Sequence, residues 1–212
     1  MPVGIDPALP PGKLRQVVTF MEMTRSPWGE GEAPANPPPR ADASVALIGE
    51  VSLGDYRALQ RSVGEAWLWW ERSVMSDAAL GAILTEPGIE IRYLYLGSEV
   101  AGFSELETGR EGEVKLAYFG VAPPFIGAGL GRYLLCETLA AAWAWRPRRV
   151  WLHTCDHDHP QAVAFYRRAG FRSYRIEEVV IDDPRRLGLL PADAAPQIPL
   201  AGAPSVEETG TS

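Results

Sequence analysis

The sequence predicts an α/β (α+β) fold, a mixed central sheet flanked by helices. Three observations predict it. Strand-like runs follow one another in the middle of the chain, strand-like and helix-like runs alternate in the last third, and a glycine-rich turn joins the two regimes. Residues 1–12 hold Pro2, Pro7, Pro10 and Pro11 and read as a flexible N-terminal segment. Residues 15–23 read as a first strand anchored by Val17, Val18 and Phe20. Five prolines between 26 and 40 make a long loop. Residues 53–70 read as helical with a bend near Gly64. Ser76-Asp77 caps a second helix over 78–85, which Pro87-Gly88 ends.

Strands follow over 89–96 and 100–106, joined by a short turn at Gly97-Ser98, and over 114–121. Then come a helix over 130–145, a strand over 149–153 and a helix over 160–169. Pro160 suits that helix's first turn and Gly170 its C-terminal cap. A strand over 171–181 is the last element. One domain is therefore expected over 13–183, with a flexible, Pro- and Ala-rich tail over 184–212.

Composition narrows the function classes. Apolar residues make up 46% of the 212, enough for a substantial core. No window approaches the ~20 apolar residues of a membrane helix. No basic-then-apolar leader opens the chain, and Cys136 and Cys155 form no disulfide framework. A cytoplasmic protein, off the membrane, is the expectation. The net charge of −7 argues against coating nucleic acid. Arg146, Arg148, Arg149, Arg167, Arg168, Arg172 and Arg175 nevertheless cluster after the glycine turn, where they suit a local anionic ligand or simply a solvated face.

The turn itself reads Val121-Ala122-Pro123-Pro124-Phe125-Ile126-Gly127-Ala128-Gly129-Leu130-Gly131-Arg132. Unpaired amides and the dipole of the following helix favour an anion at this junction. Without side chains at Gly127, Gly129 and Gly131, a phosphate can approach the backbone. Gly120, inside an apolar strand, marks either a bulge or a close backbone approach. Pro123 cannot donate a ladder bond, so pairing stops there and leaves a cleft beside the helix start.

These elements and this turn resemble the GNAT superfamily of acyl-CoA-dependent N-acetyltransferases, over about residues 15–181. The family's motif reads Arg or Gln, two residues, Gly, one residue, Gly or Ala. Here Gly129 and Gly131 match the two glycines, and Ile126 stands at the leading position. A second match, Ala162-Val163-Ala164-Phe165-Tyr166-Arg167-Arg168-Ala169-Gly170-Phe171, is similar to the family's segment ending in Tyr, polar residues and Gly-Phe. More narrowly, the chain resembles a bacterial branch with a Gly-Glu-x-Trp-x-Trp-Trp segment from Gly64 to Trp70 and a His-Thr-Cys segment from His153 to Cys155.

The resemblance implies a splayed sheet and acetyl-CoA as cosubstrate, with no metal. Backbone groups of Phe119, Gly120 and Val121 would hold the pantetheine arm. Gly127, Ala128, Gly129, Leu130, Gly131 and Arg132 would surround the pyrophosphate, with Leu130 contributing its amide and Arg132 either reaching a phosphate or lying exposed. His159 falls where many relatives carry an asparagine near the CoA arm. Tyr166 matches the family's general acid, which protonates the leaving thiolate; the plainer reading is an aromatic packed between helix and sheet.

The attacking amine must lose a proton, and two residues are candidates for taking it. Glu105, beside Phe103 and Ser104, would have its pKa raised by partial burial; otherwise it is a surface strand residue. His153 titrates near neutrality by nature; otherwise it is structural. Asp156 and Asp158 read as turn formers or caps. In extended chain His153, Cys155, His157 and His159 share one face and are zinc-type ligands, yet i, i+2 ligands on one strand do not close a tetrahedron alone. Trp67, Trp69 and Trp70, with Tyr56, either line an acceptor pocket or pack in the core.

The expectation is an N-acetyltransferase. It moves an acetyl or short acyl group from acetyl-CoA to a primary amine by direct attack in a ternary complex. The amine belongs to a small molecule or a peptide, and the protein is a monomer or homodimer. The alternative is a non-catalytic acyl-CoA-binding sensor module.

Overall fold

The computed structural model describes residues 9–29, 31, 33–110 and 112–202. Its elements run β1 (Lys13–Met23), β2 (Ala43–Ile48), α1 (Leu53–Gly64), α2 (Asp77–Leu84), β3 (Ile89–Leu96), β4 (Glu99–Arg110), β5 (Glu113–Val121), α3 (Leu130–Ala144), β6 (Arg149–Cys155), α4 (Ala162–Arg168) and β7 (Arg172–Asp182). The strands form one mixed seven-stranded sheet in the order β2-β3-β4-β5-β6-β1-β7. Among the described residues no helix is long and apolar enough to cross a membrane.

Side-chain alternation along β4 sorts the helices onto two faces. Phe103 joins Tyr56, Leu59 and Val63 of α1 in one core cluster. Leu106 joins Leu135 and Leu139 of α3 in another, with Leu116, Val150 and Leu152. Among the buried positions of α3, Leu130, Leu134, Thr138 and Ala142 recur every four residues, and Leu135 and Leu139 widen the same face. Ser52 and Ser76 cap α1 and α2 by accepting the amides of Asp55 and Ala79.

β5 and β6 are parallel neighbours; every other neighbouring pair is antiparallel. Their ladder covers only Glu113↔Arg149, Val114↔Val150 and Lys115↔Trp151, after which the strands separate. The bend has a local origin. Glu105 faces Tyr118 while Leu106 faces Leu116, so Ala117 is an extra residue, and such a bulge bends its strand. Gly120, three residues on, is a close approach rather than the bulge. A Cβ there would meet Val63 Cγ1 at 2.3 Å, so the missing side chain lets α1 settle on β5.

Three expectations need correction. β2, for which no element was expected between the loop and the first helix, is a short edge strand; only its β3 side is paired, and Leu47 is 60% exposed. The helical run expected over 53–70 ends at Gly64. A Cβ at Gly64 would lie 2.5 Å from Trp69 Cε3, and Leu68 adopts a left-handed conformation (φ 58°) as the chain turns back.

The third correction concerns residues 184–202, expected to be flexible. They pack as a strap. Leu190, Ala194, Ala195, Ile198 and Ala201 are buried with Leu14 and Leu68. Arg185 is the reason an Ala- and Pro-rich segment stays down. Buried itself, it pairs with Asp183 (2.9 Å) and donates to the carbonyls of Ala194, Ala195, Ile198 and Pro199. Gln197 in turn donates to the Ala66 carbonyl. Residues 203–212 of that expected tail, and 1–8 of the expected N-terminal segment, lie outside the described residues.

Candidate active site

Where β5 and β6 part, the edge of β5 facing β6 has no strand partner beyond Lys115, and a cavity of about 890 Å³ fills the gap. Phe119, Gly120 and Val121 line it from β5, and His153 from β6. At its mouth stands the start of α3. Gly129 takes a left-handed conformation (φ 77°) that a side chain would strain. The first α3 bond runs from the Tyr133 amide to the Gly129 carbonyl, so the amides of Leu130, Gly131 and Arg132 have no helical acceptor. Gly127, Gly129, Gly131 and Arg132 line the cavity beside them. The Leu130 side chain is core, and Ala128 is exposed outside the cavity. Ile126 also lines the cavity, 45% exposed, and offers no charge.

The proline-rich loop supports this mouth. Asn36 donates to the Tyr133 carbonyl and to Glu137, and Pro39 lies against Gly129. An exposed-looking stretch is thereby pinned to the first two turns of α3.

α4 presents Tyr166 to the cavity. Its ring packs among Phe119, Phe165 and Phe171 at 5.4 to 6.1 Å between centroids, and it is only 8% exposed. Burial, followed by the nearby Asp158 carboxylate, pushes the phenol above its ordinary pKa. Tyr166 therefore stays protonated near neutrality, as a proton donor must. Its packing and its access to the cleft coexist, so the two readings of this ring are not exclusive.

His153 opens on the same cavity, 5.8 Å from the Phe20 ring. The surrounding protein mass lowers its pKa, and Lys115 lowers it further against the opposing fields of Asp158, Glu71 and Glu107. Its imidazole is neutral at pH 7 and able to accept a proton. The Asp158 carboxylate acts on both His153 and Tyr166, raising the pKa of each. Asp158 itself accepts from Trp69 Nε1 (3.0 Å), Thr154 Oγ1 (2.7 Å) and the Cys155 amide (3.0 Å), fixing the turn after β6 to the α1–α2 connection.

Glu105 is not at the cavity, which overturns its reading as a base. It is fully buried under α1, bonded to the Tyr56 hydroxyl and paired with Arg72 at 2.8 Å. Burial raises its pKa, but Arg72 and Tyr56 occupy the carboxylate that would have to move a proton. Glu107, two residues further on the same face, is the β4 carboxylate that reaches the cavity, where Lys115 pairs with it at 3.1 Å. Strand alternation from Glu105 was the available signal for it; which of the two α1 covers was not legible.

His159 lines the cavity, edge-on to Trp67 at 5.3 Å. His157 turns away, 1% exposed, with Nε2 3.0 Å from the Arg15 carbonyl. His157 is thereby separated from the other three residues of the zinc alternative, which line the cavity, and among the described residues no three His, Cys, Asp or Glu side chains gather as a ligand set. Trp67 and Trp69 line the cavity, whereas Trp70 packs on the C-terminal strap and Tyr56 is core.

The sheet with its single splayed parallel junction, and an uncapped helix start at the mouth of the gap, define the scaffold of an acyl-group transferase. A family profile described as the acetyltransferase (GNAT) family matches residues 56–171, more than half of the chain. The protein belongs to that family.

Solved structures agree on the fold. A GNAT-family protein from Novosphingobium aromaticivorans superposes with a TM-score of 0.55 at 17% identity, over 84% of this chain and 72% of that one. An N-acetyltransferase from Sphaerobacter thermophilus gives 0.58 at 16% identity, over 78% of this chain and 50% of that one, so this chain spans about half its length. An aminoglycoside acetyltransferase from an uncultured soil metagenome gives 0.52 at 15% identity, over 61% and 88%. No curated protein sequence matches significantly.

Proposed function

We propose that the protein transfers an acetyl or short acyl group from acetyl-CoA to a primary amine, by direct attack within a ternary complex. The observation that carries this reading is the cavity at the β5/β6 gap. It has an anion-binding helix start at one end and, within it, a protonated phenol and a neutral imidazole. The donor end fits a pyrophosphate, because three helix amides lack acceptors and Gly127 and Gly129 leave the backbone bare. The unpaired edge of β5 fits a pantetheine arm, whose amides complement a strand edge.

Acetyl-CoA supplies an activated thioester when bound. The chain does the rest. His153 takes the proton from the incoming ammonium, and Tyr166 Oη donates its proton to the departing sulfur. No activated nucleophile competes with direct attack, since burial raises the Cys155 thiol well above its usual range.

Titration calorimetry with acetyl-CoA, together with free-thiol release over a panel of amines, tests the reading. Saturable binding with amine-dependent thiol release supports it. Binding without turnover of any amine would instead favour an acyl-CoA sensor. The pH profile is a second expected result. A base must be neutral to act, and His153 has a lowered pKa, so kcat/KM should fall on the acid side only below the ordinary histidine pKa of about 6.5. His153→Gln should remove that limb; a limb that persists in the variant assigns the base elsewhere.

A further inference from the structure

The remaining end of the cavity, the acceptor end in this reading, is lined by the α1–α2 connection and by Gln16, Val18 and Phe20 on one face of β1. Its charges can be paired off one by one. Lys115 is held by both oxygens of Glu107 at 3.1 and 3.2 Å. Arg72, 8% exposed, is held by Glu105. Both cations of this end are thereby neutralised. Asp158 is hydrogen-bonded by three neutral donors, none of which is a cation. Glu71 is exposed on the cavity rim, and among the described residues no cation pairs with it; its one hydrogen bond is the adjoining Trp70 amide at 3.3 Å. The residue of this pairing is negative, and Glu71 and Asp158 both act on His153, where the amine must lose its proton.

The walls are aromatic. Trp69 meets Tyr118 edge-on at 5.4 Å, and Phe20 lies beside His153. Trp67 continues the lining toward the donor end. A flat apolar group finds stacking and edge contacts here, and an ammonium beside Trp69 or Tyr118 gains from their ring faces. Lys115 and Arg72, the cations beside these rings, already hold Glu107 and Glu105, which disfavours a substrate carboxylate there.

We propose that the acceptor is a monocationic amine carrying an aromatic or other flat apolar group, whose ammonium is received by Glu71 at the cavity rim and whose ring lies between Trp69, Tyr118 and Phe20. The proposal rests on the transferase reading above and names its substrate class. Glu71 acts in binding, since the proton transfers are assigned to His153 and Tyr166.

Thiol release at saturating acetyl-CoA, with phenylethylamine, phenylalanine, spermidine and kanamycin as acceptors, tests it. Phenylethylamine and phenylalanine differ only by the carboxylate, so the first should exceed the second in kcat/KM by at least about tenfold, the scale of one misplaced charge. Glu71→Gln should raise KM for phenylethylamine about tenfold while kcat and the acetyl-CoA KM stay near wild type. A preference for phenylalanine, spermidine or kanamycin, or an unchanged KM in Glu71→Gln, overturns the proposal and leaves the transferase standing. Acetyl-CoA binding with turnover of none of the four, nor of a wider amine panel, overturns both.

Discussion

Tyr166→Phe is expected to lower kcat by about a hundredfold or more, the usual contribution of a positioned proton donor. The argument is geometric before it is electrostatic. The ring is wedged among Phe119, Phe165 and Phe171, so the variant keeps its packing and loses one oxygen. That oxygen is the only part of the residue with chemistry to contribute at the cavity. Because burial keeps the phenol protonated, it is a donor throughout the pH range in which His153 is neutral. Acetyl-CoA affinity by calorimetry should change by less than about threefold, since the proposed donor site draws on α3 amides and the β5 edge rather than on Tyr166. A kcat within twofold of wild type would reassign protonation of the thiolate to solvent.

Arg185→Met is expected to destabilise the protein by about 3–5 kcal/mol, the cost of breaking a buried charge pair on one side only. The variant strands Asp183, which is fully buried, and strips donors from four carbonyls of the strap. Urea unfolding measures the loss; a value below about 1 kcal/mol would mean that the apolar contacts of Leu190 and Ile198 hold the strap unaided. Arg185→Lys should recover part of the loss only, because one ammonium cannot reproduce the fork that grips Asp183 at two oxygens. The same strap bonds Ala66 and packs on Leu68 and Trp70, so its release would also loosen the turn that carries Trp67 and Trp69.

The glycine mouth of the cavity was legible in the sequence, and its far end was not. The glycine turn carries its own signal, since a strand, a run of glycines and a helix start are local features with a local purpose. Tyr166 was equally readable from the segment that ends at Phe171. The far end is assembled from β1, β4, β5, β6 and the α1–α2 connection, and which side chains meet there depends on pairing across the sheet. Glu105 shows the difficulty. Its strand and its face were identifiable, but whether α1 buried it or Glu107 was a matter of helix placement. The strap was missed for a related reason. Its composition is that of a tail, and a single arginine, reading as one charge among many, organises it.

The position of β1 has a consequence for how the protein is made. Residues 89–121 form a meander in which β3, β4 and β5 each pair with the next, so that part can zip from local contacts alone. β1 leaves the ribosome first yet finds its partners last: Val18 faces Cys155 on one side and Glu177 on the other. Contacts so distant in sequence close slowly. The wall bearing Phe20 and His153 must therefore wait until nearly the whole domain has been synthesised. During refolding, pulsed hydrogen exchange should find β3 and β4 amides protected before those of β1; simultaneous protection would mean that the two halves form as one cooperative unit.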